Sequence, residues 1–243
     1  MEVAKGVRRC SLGVTNWYLV EEGGRTVLVD AGAPKDWSLL LSTIAERGLA
    51  LNDLDAILLT HAHPDHTGFA EQARSKAGAR VWVHEADVAV AKGAKQPKNE
   101  AGVVRYLVHP ATYRTAFSLM SRGAGRLVPI AEVSAFSDGE TVDVPGRPRV
   151  VHTPGHTDGH SCLLFEDRDA LMCGDALVTL NPLTGRHGPQ IMPAGLNRDS
   201  GQALRSLDRL KGFGDTVLLP GHGDPFRDGA AEAVRLARAA GRS

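Results

Sequence analysis

Three histidines and one aspartate are crowded into the segment HAHPDH, which runs from His61 to His66. It follows a short apolar run, residues 56–60, of the kind found in strands that are buried on both faces. Imidazoles crowded at the end of such a strand lose hydration and repel one another when protonated, so they are poor core material. A divalent cation resolves this, because neutral imidazole nitrogen and ionised carboxylate oxygen are good metal ligands. The segment therefore predicts a metal site.

The spacing inside this segment favours two ions. Alternate residues of an extended chain point to the same side, so His61 and His63 can reach one ion together. Pro64 is a favourable first residue of a helix. A helix that starts there would turn the chain and aim Asp65 and His66 at a second ion.

Three later segments share another pattern, in which a metal-binding residue type lies among glycines and prolines beside a predicted strand. They are residues 153–160 (TPGHTDGH), 173–176 (CGDA) and 219–225 (LPGHGDP). Glycine lets the backbone approach closely and adopt positive φ, so the neighbouring side chain can point at a shared centre. Loops at strand ends are also where sites are usually built. The candidate ligands in these segments are His156, Asp175 and His222.

The elements that must position these motifs alternate between strands and helices. Two β-prone runs joined by a glycine-containing turn, residues 16–20 and 25–30, predict a hairpin. Periodicity predicts further strands at 56–60, 80–84, 141–144, 149–152, 162–165, 170–173 and 216–219, and helices at 37–47, 67–77, 200–210 and 230–240. No long Pro/Gly/Ser linker interrupts this order, so residues 1–243 are predicted to form one α/β layered domain.

Two segments carry no recognisable motif and are the candidates for substrate specificity. Residues 92–129 begin as a polar loop and continue as a predicted helical lid insertion. We favour core positions for the large side chains of this segment, with a substrate wall as the alternative; they are Tyr106, Tyr113, Phe117 and Met120. Residues 181–195, with three prolines and three glycines, are predicted to be a long loop. The sequence identifies no individual substrate-binding residue.

Several other residues of metal-binding type are assigned structural roles. His84 is predicted to pack or orient a neighbour, and Cys173 to be a small core residue. His160 is predicted to support its loop, with contact to a ligand as the alternative. His187 is predicted to be an exposed loop residue, with the mouth of a pocket as the alternative.

The amino-acid composition limits the classes of protein to which this chain can belong. Hydrophobic residues make up 42% of the chain and charged residues 23%, which is ordinary for a globular protein with a large core. The 28 basic and 28 acidic side chains balance, so no overall charge points to nucleic acid or an anionic membrane as partner. We find no signal peptide and no apolar stretch that could span a membrane. Three cysteines do not make a disulfide framework. We therefore expect a cytoplasmic protein that acts on a small molecule.

Together, the motifs from His61 to His222 resemble the metallo-β-lactamase superfamily, whose pattern is H-x-H-x-D-H followed by a His, an Asp and a His. Asp30-Ala31-Gly32 is similar to the early strand-end turn of that family. The resemblance implies an αββα four-layer sandwich with the site at one edge. It also implies two divalent ions, zinc in the first instance, with iron or manganese as alternatives. The implied ligands are His61, His63 and His156 for the first ion, Asp65, His66 and His222 for the second, and Asp175 between them.

The implied chemistry is hydrolysis. Two ions about 3.5–4 Å apart lower the pKa of a bridging water and polarise a carbonyl or phosphoryl oxygen. We expect a dinuclear hydrolase that uses a metal-bridging hydroxide to cleave a carboxylic ester, a thioester or a lactone. Asp65 lies between two metal-binding histidines, so we expect it to be catalytic as well as a ligand, orienting the water or moving its proton.

This chain departs from the sequence patterns of particular branches of the family, and these departures reduce the number of candidate reactions. Zinc β-lactamases that share the first motif lack an aspartate at the position of Asp175. Glyoxalase II enzymes carry a long helical extension, whereas only 21 residues follow His222. Lactonases that cleave acyl-homoserine lactones have a tyrosine where this chain has Val178. The alternatives to the ester-type hydrolase are a mononuclear iron persulfide dioxygenase, a β-lactam or phosphodiester hydrolase, and a metal-binding interaction protein without turnover.

Overall fold

A computed structural model describes residues 1–242 of the chain, and two β-sheets lie at its centre. The first sheet has seven strands in sequence order: β1 (Glu2–Ala4), β2 (Val7–Leu12), β3 (Thr15–Glu22), β4 (Arg25–Val29), β5 (Leu54–Leu58), β6 (Arg80–His84) and β7 (Ser134–Phe136). Its first four strands are antiparallel, and β4 to β7 are parallel.

The second sheet has four strands, and a separate two-stranded hairpin follows it in the chain. The strands of the second sheet are β8 (Arg149–His152), β9 (Ser161–Phe165), β10 (Ala170–Gly174) and β13 (Val217–Pro220), in the order β13-β10-β9-β8. The hairpin consists of β11 (Val178–Leu180) and β12 (His187–Gln190). The helices are α1 (Trp37–Glu46), α2 (Ala70–Ala77), α3 (Val88–Ala91), α4 (Pro110–Ser121), α5 (Ser200–Ser206) and α6 (Ala230–Ala240). Within residues 1–242, no helix has both the length and the apolar composition needed to cross a membrane.

Three apolar clusters show that the elements are stacked in four layers. One cluster joins α1, α2 and α3 to the outer face of the first sheet, through side chains such as Leu40, Ala73 and Ile57. A second fills the space between the two sheets. A third joins the second sheet to α5 and α6, through Leu171 and Val234 among others. The αββα sandwich implied by the sequence is confirmed.

The predicted hairpin forms as β3 and β4, and its turn explains its register. Glu22 pairs with Arg25, so Gly23 and Gly24 alone make the turn. Their φ angles of 57° and 79° lie in the left-handed region, which two-residue hairpins favour and which glycine adopts without strain. The register fixed by this turn places Thr15 and Asn16 at the far end of β3, where the site lies.

Several predicted elements need correction. Residues 141–144 form no strand beyond an isolated bridge from Thr141 to Arg149. The predicted loop 181–195 contains β12, which pairs with β11 across a tight connection. Pro64 lies in a turn and starts no helix, because α2 begins only at Ala70. The predicted helix 200–210 is α5 followed by a 3₁₀ turn over Leu207–Phe213.

The segment 92–129 contains the predicted helix, α4, but its aromatic face is turned outward. Tyr113, Phe117 and Met120 are 58%, 76% and 73% exposed, so they are neither core nor substrate wall, whereas Tyr106 is buried. The end of the helix is fixed to the body of the protein, because Arg122 donates from Nη1 to both carboxylate oxygens of Asp36 at 2.9 Å. For Tyr113, Phe117 and Met120, the core and substrate-wall interpretations were therefore both wrong. The smaller side chains of α4 face inward.

Candidate metal centre

All seven predicted ligands lie at the carboxyl ends of strands, at one edge of the sandwich. His61 to His66 follow β5, and His156 lies in the turn between β8 and β9. Asp175 follows β10 and His222 follows β13, two parallel neighbours whose ends meet at the same edge. The two sheets thus contribute the two halves of the site.

The first cluster consists of three imidazole nitrogens that face one another. His61 Nε2 lies 3.1 Å from His63 Nδ1 and 3.2 Å from His156 Nε2, and the last two atoms are 2.9 Å apart. Nitrogens bound at about 2.0–2.1 Å to one tetrahedral ion lie roughly 3.3 Å apart. The observed spacing is close to this value, so these nitrogens could hold one ion.

The second cluster contains two imidazoles and two carboxylates. Asp65 Oδ2 lies 3.7 Å from both His66 Nε2 and His222 Nε2. Asp175 Oδ2 lies 3.6 Å from His66 Nε2 and 3.3 Å from His222 Nε2. The same Asp175 oxygen is 3.3 Å from His156 Nε2 and 3.9 Å from His61 Nε2 of the first cluster. Asp175 therefore lies between the two clusters.

For three of the five imidazoles, hydrogen-bond partners on the outer side fix which nitrogen of the neutral ring faces the centre without a proton. His66 Nδ1 lies 2.8 Å from Asp30 Oδ2, and His222 Nδ1 lies 2.7 Å from the Val14 carbonyl oxygen. These oxygens only accept, so Nδ1 must donate and a neutral ring presents a bare Nε2 to the centre. His156 Nδ1 is held in the same way by Asn197 Oδ1 at 3.1 Å, since the Asn197 amide nitrogen donates to Met192. Bare nitrogens that face one another repel unless a cation lies between them.

Two buried polar atoms of the centre have no hydrogen-bond partner among the described residues, namely His66 Nε2 and Asp175 Oδ1. A buried polar atom without a partner costs free energy, and such atoms are rare in folded proteins. Both atoms belong to groups that bind divalent cations. The donor set present in the chain therefore fits a pair of metal ions.

The pKa values of the two clusters differ in direction. Burial lowers the pKa of His61, His63 and His156, which keeps them in the neutral form that binds metals. Burial also acts to lower the pKa of His66, but the nearby carboxylates of Asp175, Asp65 and Asp30 outweigh it and raise that pKa to about 10. The carboxylates that favour a proton on His66 also favour a metal cation, which can bind in place of that proton.

Two buried aspartates outside the predicted ligand set hold the centre together. Asp30 accepts from the Thr60 backbone and hydroxyl as well as from His66. Asp87 accepts from Ala62 N at 3.1 Å, and from Thr157 Oγ1 and Gly159 N at 2.8 Å, so it joins the loop after β5 to the loop between β8 and β9. Sequence reasoning noted Asp30 only as part of a turn and missed Asp87, which no local pattern distinguishes from a surface aspartate.

His160 has the structural role predicted for it. Its Nε2 accepts hydrogen bonds from the backbone amides of Asp175 and Ala176 at 3.0 and 3.1 Å, and its Nδ1 contacts Thr153 Oγ1. It thereby shapes the turn that presents Asp175. His84 stacks on His152 with ring centroids 4.0 Å apart, and Cys173 is a buried core residue. His187 is exposed, as expected, although it lies in β12 rather than in a loop.

Thr15 is a positioning residue for Asp65. Its buried hydroxyl donates to Asp65 Oδ2 at 3.0 Å. Thr15→Val keeps the branched shape but removes this donor, so we expect the affinity of the second cluster for Zn²⁺ to fall by about 10–100-fold. Titration of metal-free protein with Zn²⁺ measures this. Thr15→Ser keeps the hydroxyl and should bind like wild type; a valine variant that also does so would show that Thr15 does not position Asp65.

A cavity of about 410 Å³ opens onto the centre. On one side it meets His63, Asp65, His156, Asp175 and His222. Its other walls come from residues 96–124, which include α4, and from residues 182–196. The two segments expected to carry specificity thus both line the space beside the candidate metal ligands.

The fold and this centre define the class of protein. The sequence profile of the metallo-beta-lactamase superfamily matches residues 10–222, and the chain belongs to that superfamily. Over 242 aligned residues it is 29% identical to the probable metallo-hydrolase YflN of Bacillus subtilis (strain 168), covering 93% of this chain and 86% of that protein. The chain is therefore related to metal-dependent hydrolases.

Two further relatives bear on substrate and metal. The chain is 30% identical over 207 residues to a hydroxyacylglutathione hydrolase of Acidiphilium cryptum (strain JF-5), and the match covers 84% of this chain but only 63% of that protein. Among solved structures, TTHA1623 in a di-iron-bound form matches with a TM-score of 0.63 and 26% identity, over 95% of this chain and 97% of that one.

Proposed function

We propose that this protein is a dinuclear metal-dependent hydrolase that cleaves a carboxylic ester, a thioester or a lactone. The observation that carries the proposal is the pair of ligand clusters that share Asp175 Oδ2 at the floor of a cavity. In this proposal His61, His63 and His156 hold one ion, and Asp65, His66 and His222 hold the other. Residues 92–129 act as a lid over this single domain.

The two ions would supply a water activated at neutral pH and a Lewis acid for the substrate oxygen. Hydrolysis joins the water oxygen to the acyl carbon and breaks the bond from that carbon to the ester oxygen or thioester sulfur. The oxygen or sulfur takes up a proton from the water and becomes an alcohol or thiol, which in a lactone stays attached to the acid. We assign the transfer of that proton to Asp65; its carboxylate lines the cavity and accepts a hydrogen bond from Thr15, which supports the assignment. Nearby His66 and His222 outweigh the effect of burial and lower the pKa of Asp65, so its carboxylate is ionised.

Two observations favour an acyl substrate. Among the described residues that line the cavity beside the ligands there is no lysine or arginine, the side chains that commonly bind phosphate groups. A relative is named as a hydrolase of an acylglutathione. For the metal we propose zinc, with iron as the alternative because TTHA1623 has been solved in a di-iron-bound form.

Metal analysis tests the dinuclear part of the proposal. We expect purified protein to contain two zinc or similar ions per chain, and a chelator to remove both the metal and the hydrolase activity. Restoring the metal should raise the melting temperature, because each ion at 1,000 times its Kd stabilises the folded state by about 4 kcal/mol. One iron per chain, with oxygen consumption on a persulfide, would instead support a mononuclear dioxygenase.

A further inference from the structure

We infer that the cavity selects a substrate whose acyl group is apolar and uncharged. This inference rests on the proposed hydrolase function and adds the class of acyl group to it. It comes from the side chains that form the cavity walls away from the metal ligands.

The walls are made of small and apolar side chains. Ala116, Leu119 and Ala124 line one side, and Leu183, Met192 and Leu196 line the other. Among the described residues that line the cavity there is no lysine or arginine, and the only acidic ones are the candidate ligands Asp65 and Asp175. The walls therefore offer an acyl group dispersion contacts and removal from water.

The two threonines of the wall add no free hydrogen-bond donor. Thr112 Oγ1 donates to backbone carbonyl oxygens. It lies 2.8 Å from that of Tyr106 and 2.9 Å from that of Leu183. Thr115 Oγ1 donates to the Pro182 carbonyl oxygen at 2.6 Å. Because these hydroxyl hydrogens are used in holding α4 against residues 182–183, the threonines add no free donor that an acidic substrate could use.

The two amide side chains of the lining, Gln96 and Asn99, also use a donor within the protein. Gln96 donates from its amide nitrogen to the Ala62 carbonyl oxygen at 2.6 Å, and Asn99 donates to that of Gly195 at 2.8 Å. A substrate carboxylate or phosphate that reached past the metal ligands would be buried without a cationic partner, which is costly. A neutral alkyl chain meets no such penalty, and the volume of about 410 Å³ lies in the range of small-molecule sites.

The first experiment measures kcat/KM of zinc-loaded protein on aryl esters and thioesters of unbranched acids from acetyl to decanoyl. Each fully buried methylene contributes about fourfold, which is about 250-fold for the four methylenes between acetyl and hexanoyl; burial of only half of them would still give a rise of at least about tenfold. A succinyl ester, which matches butanoyl in length but carries a carboxylate, should be a poorer substrate than butanoyl. A flat series, or a preference for the succinyl ester, would overturn the inference while leaving the hydrolase intact.

Variants of α4 test whether the dependence of kcat/KM on acyl chain length arises in this cavity. Ala116→Trp narrows it and should shift the optimum to shorter chains, whereas Leu119→Ala widens it and should shift the optimum to longer ones. Phe117→Trp is the matched control, because Phe117 lies on the outer face of the same helix and is 76% exposed. If the control shifts the optimum and the two cavity variants do not, the assignment to this cavity is wrong.

A binding measurement separates this inference from the proposed function. Ligand-observed NMR with octanamide, a neutral alkyl probe, needs neither metal nor turnover. Binding to metal-free wild type that Ala116→Trp weakens would support an apolar acyl cavity even if no ester is cleaved, in which case only the hydrolase proposal fails. Hydrolysis without octanamide binding and without dependence on chain length would leave the hydrolase and overturn the inference.

Discussion

Replacing Asp175 with asparagine is expected to reduce kcat/KM by at least about 1,000-fold, because an ion contributes several kcal/mol of transition-state stabilisation and about 1.4 kcal/mol corresponds to tenfold. The substitution keeps the size of the side chain but removes the negative charge shared by the two clusters. Asp175 is buried, and its Oδ2 lies 3.3 Å from both His156 and His222. Metal content should fall from two ions per chain to one or none.

The control for this variant is Asp224→Asn. Asp224 lies two residues after His222, but its side chain is 85% exposed and pairs with Arg9. Exposed ion pairs contribute little, so this variant should keep both metals and its activity. A D175N protein that retains two ions and wild-type turnover would contradict the shared role of Asp175.

Gly221→Ala is expected to reduce kcat/KM by about 100-fold, although it adds a single methyl group next to a ligand. A Cβ at this position would overlap Asp175 Oδ1 and lie 2.7 Å from His66 Cε1, so both ligand side chains must move. Misplacement by about 1 Å in a catalytic centre costs on the order of 100-fold. Calorimetric titration with Zn²⁺ should show weaker binding at the second cluster, and crystals of the variant should show Asp175 displaced.

Gly212→Ala is the matched control. Gly212 lies in the 3₁₀ turn Leu207–Phe213, and a Cβ there would meet no atom within 4 Å. Neither glycine has a φ in the left-handed region, so any difference between the two variants comes from the neighbours of the new methyl group. Equal activity and equal metal affinity of the two alanine variants would show that the approach of Gly221 to Asp175 does not constrain the centre.

The residues that gather at the centre could be predicted from the sequence because each carries a local signal. His61, His63 and their neighbours are of metal-binding type, and they follow a short apolar run of the kind found in buried strands. His156 and His222 lie in Pro-Gly-His turns that end strands. The four-layer arrangement followed from the alternation of strands and helices together with the family resemblance.

The supporting contacts could not be predicted, because they join residues that only the folded chain brings together. Asp87 contacts Thr157, which is 70 positions away, and Thr15 contacts Asp65 across 50. The orientation of α4 was missed for a different reason. Its large apolar side chains suggested an inward face, but the space beside the metal ligands is lined by the smaller Thr115 and Ala116, which leaves room for a substrate.

The hairpin β11–β12 was missed because both strands are short and β12 contains residues that usually break strands. β12 contains Gly188 and Pro189, and β11 has only three residues. Its stability comes from tertiary contacts rather than local propensity. Thr179 Oγ1, for example, donates to the Asp224 carbonyl oxygen at 2.7 Å.

The division of the centre between the two sheets has a consequence for folding. Each proposed ion takes ligands from both sides: His61 and His63 with His156, and Asp65 and His66 with His222. Neither half of the chain could hold an ion in this way by itself, so tight uptake of metal would be a late event that reports that the two halves have docked. Once bound, each ion would act as a removable cross-link between segments about 100 or more residues apart, closing loops that are entropically costly to close.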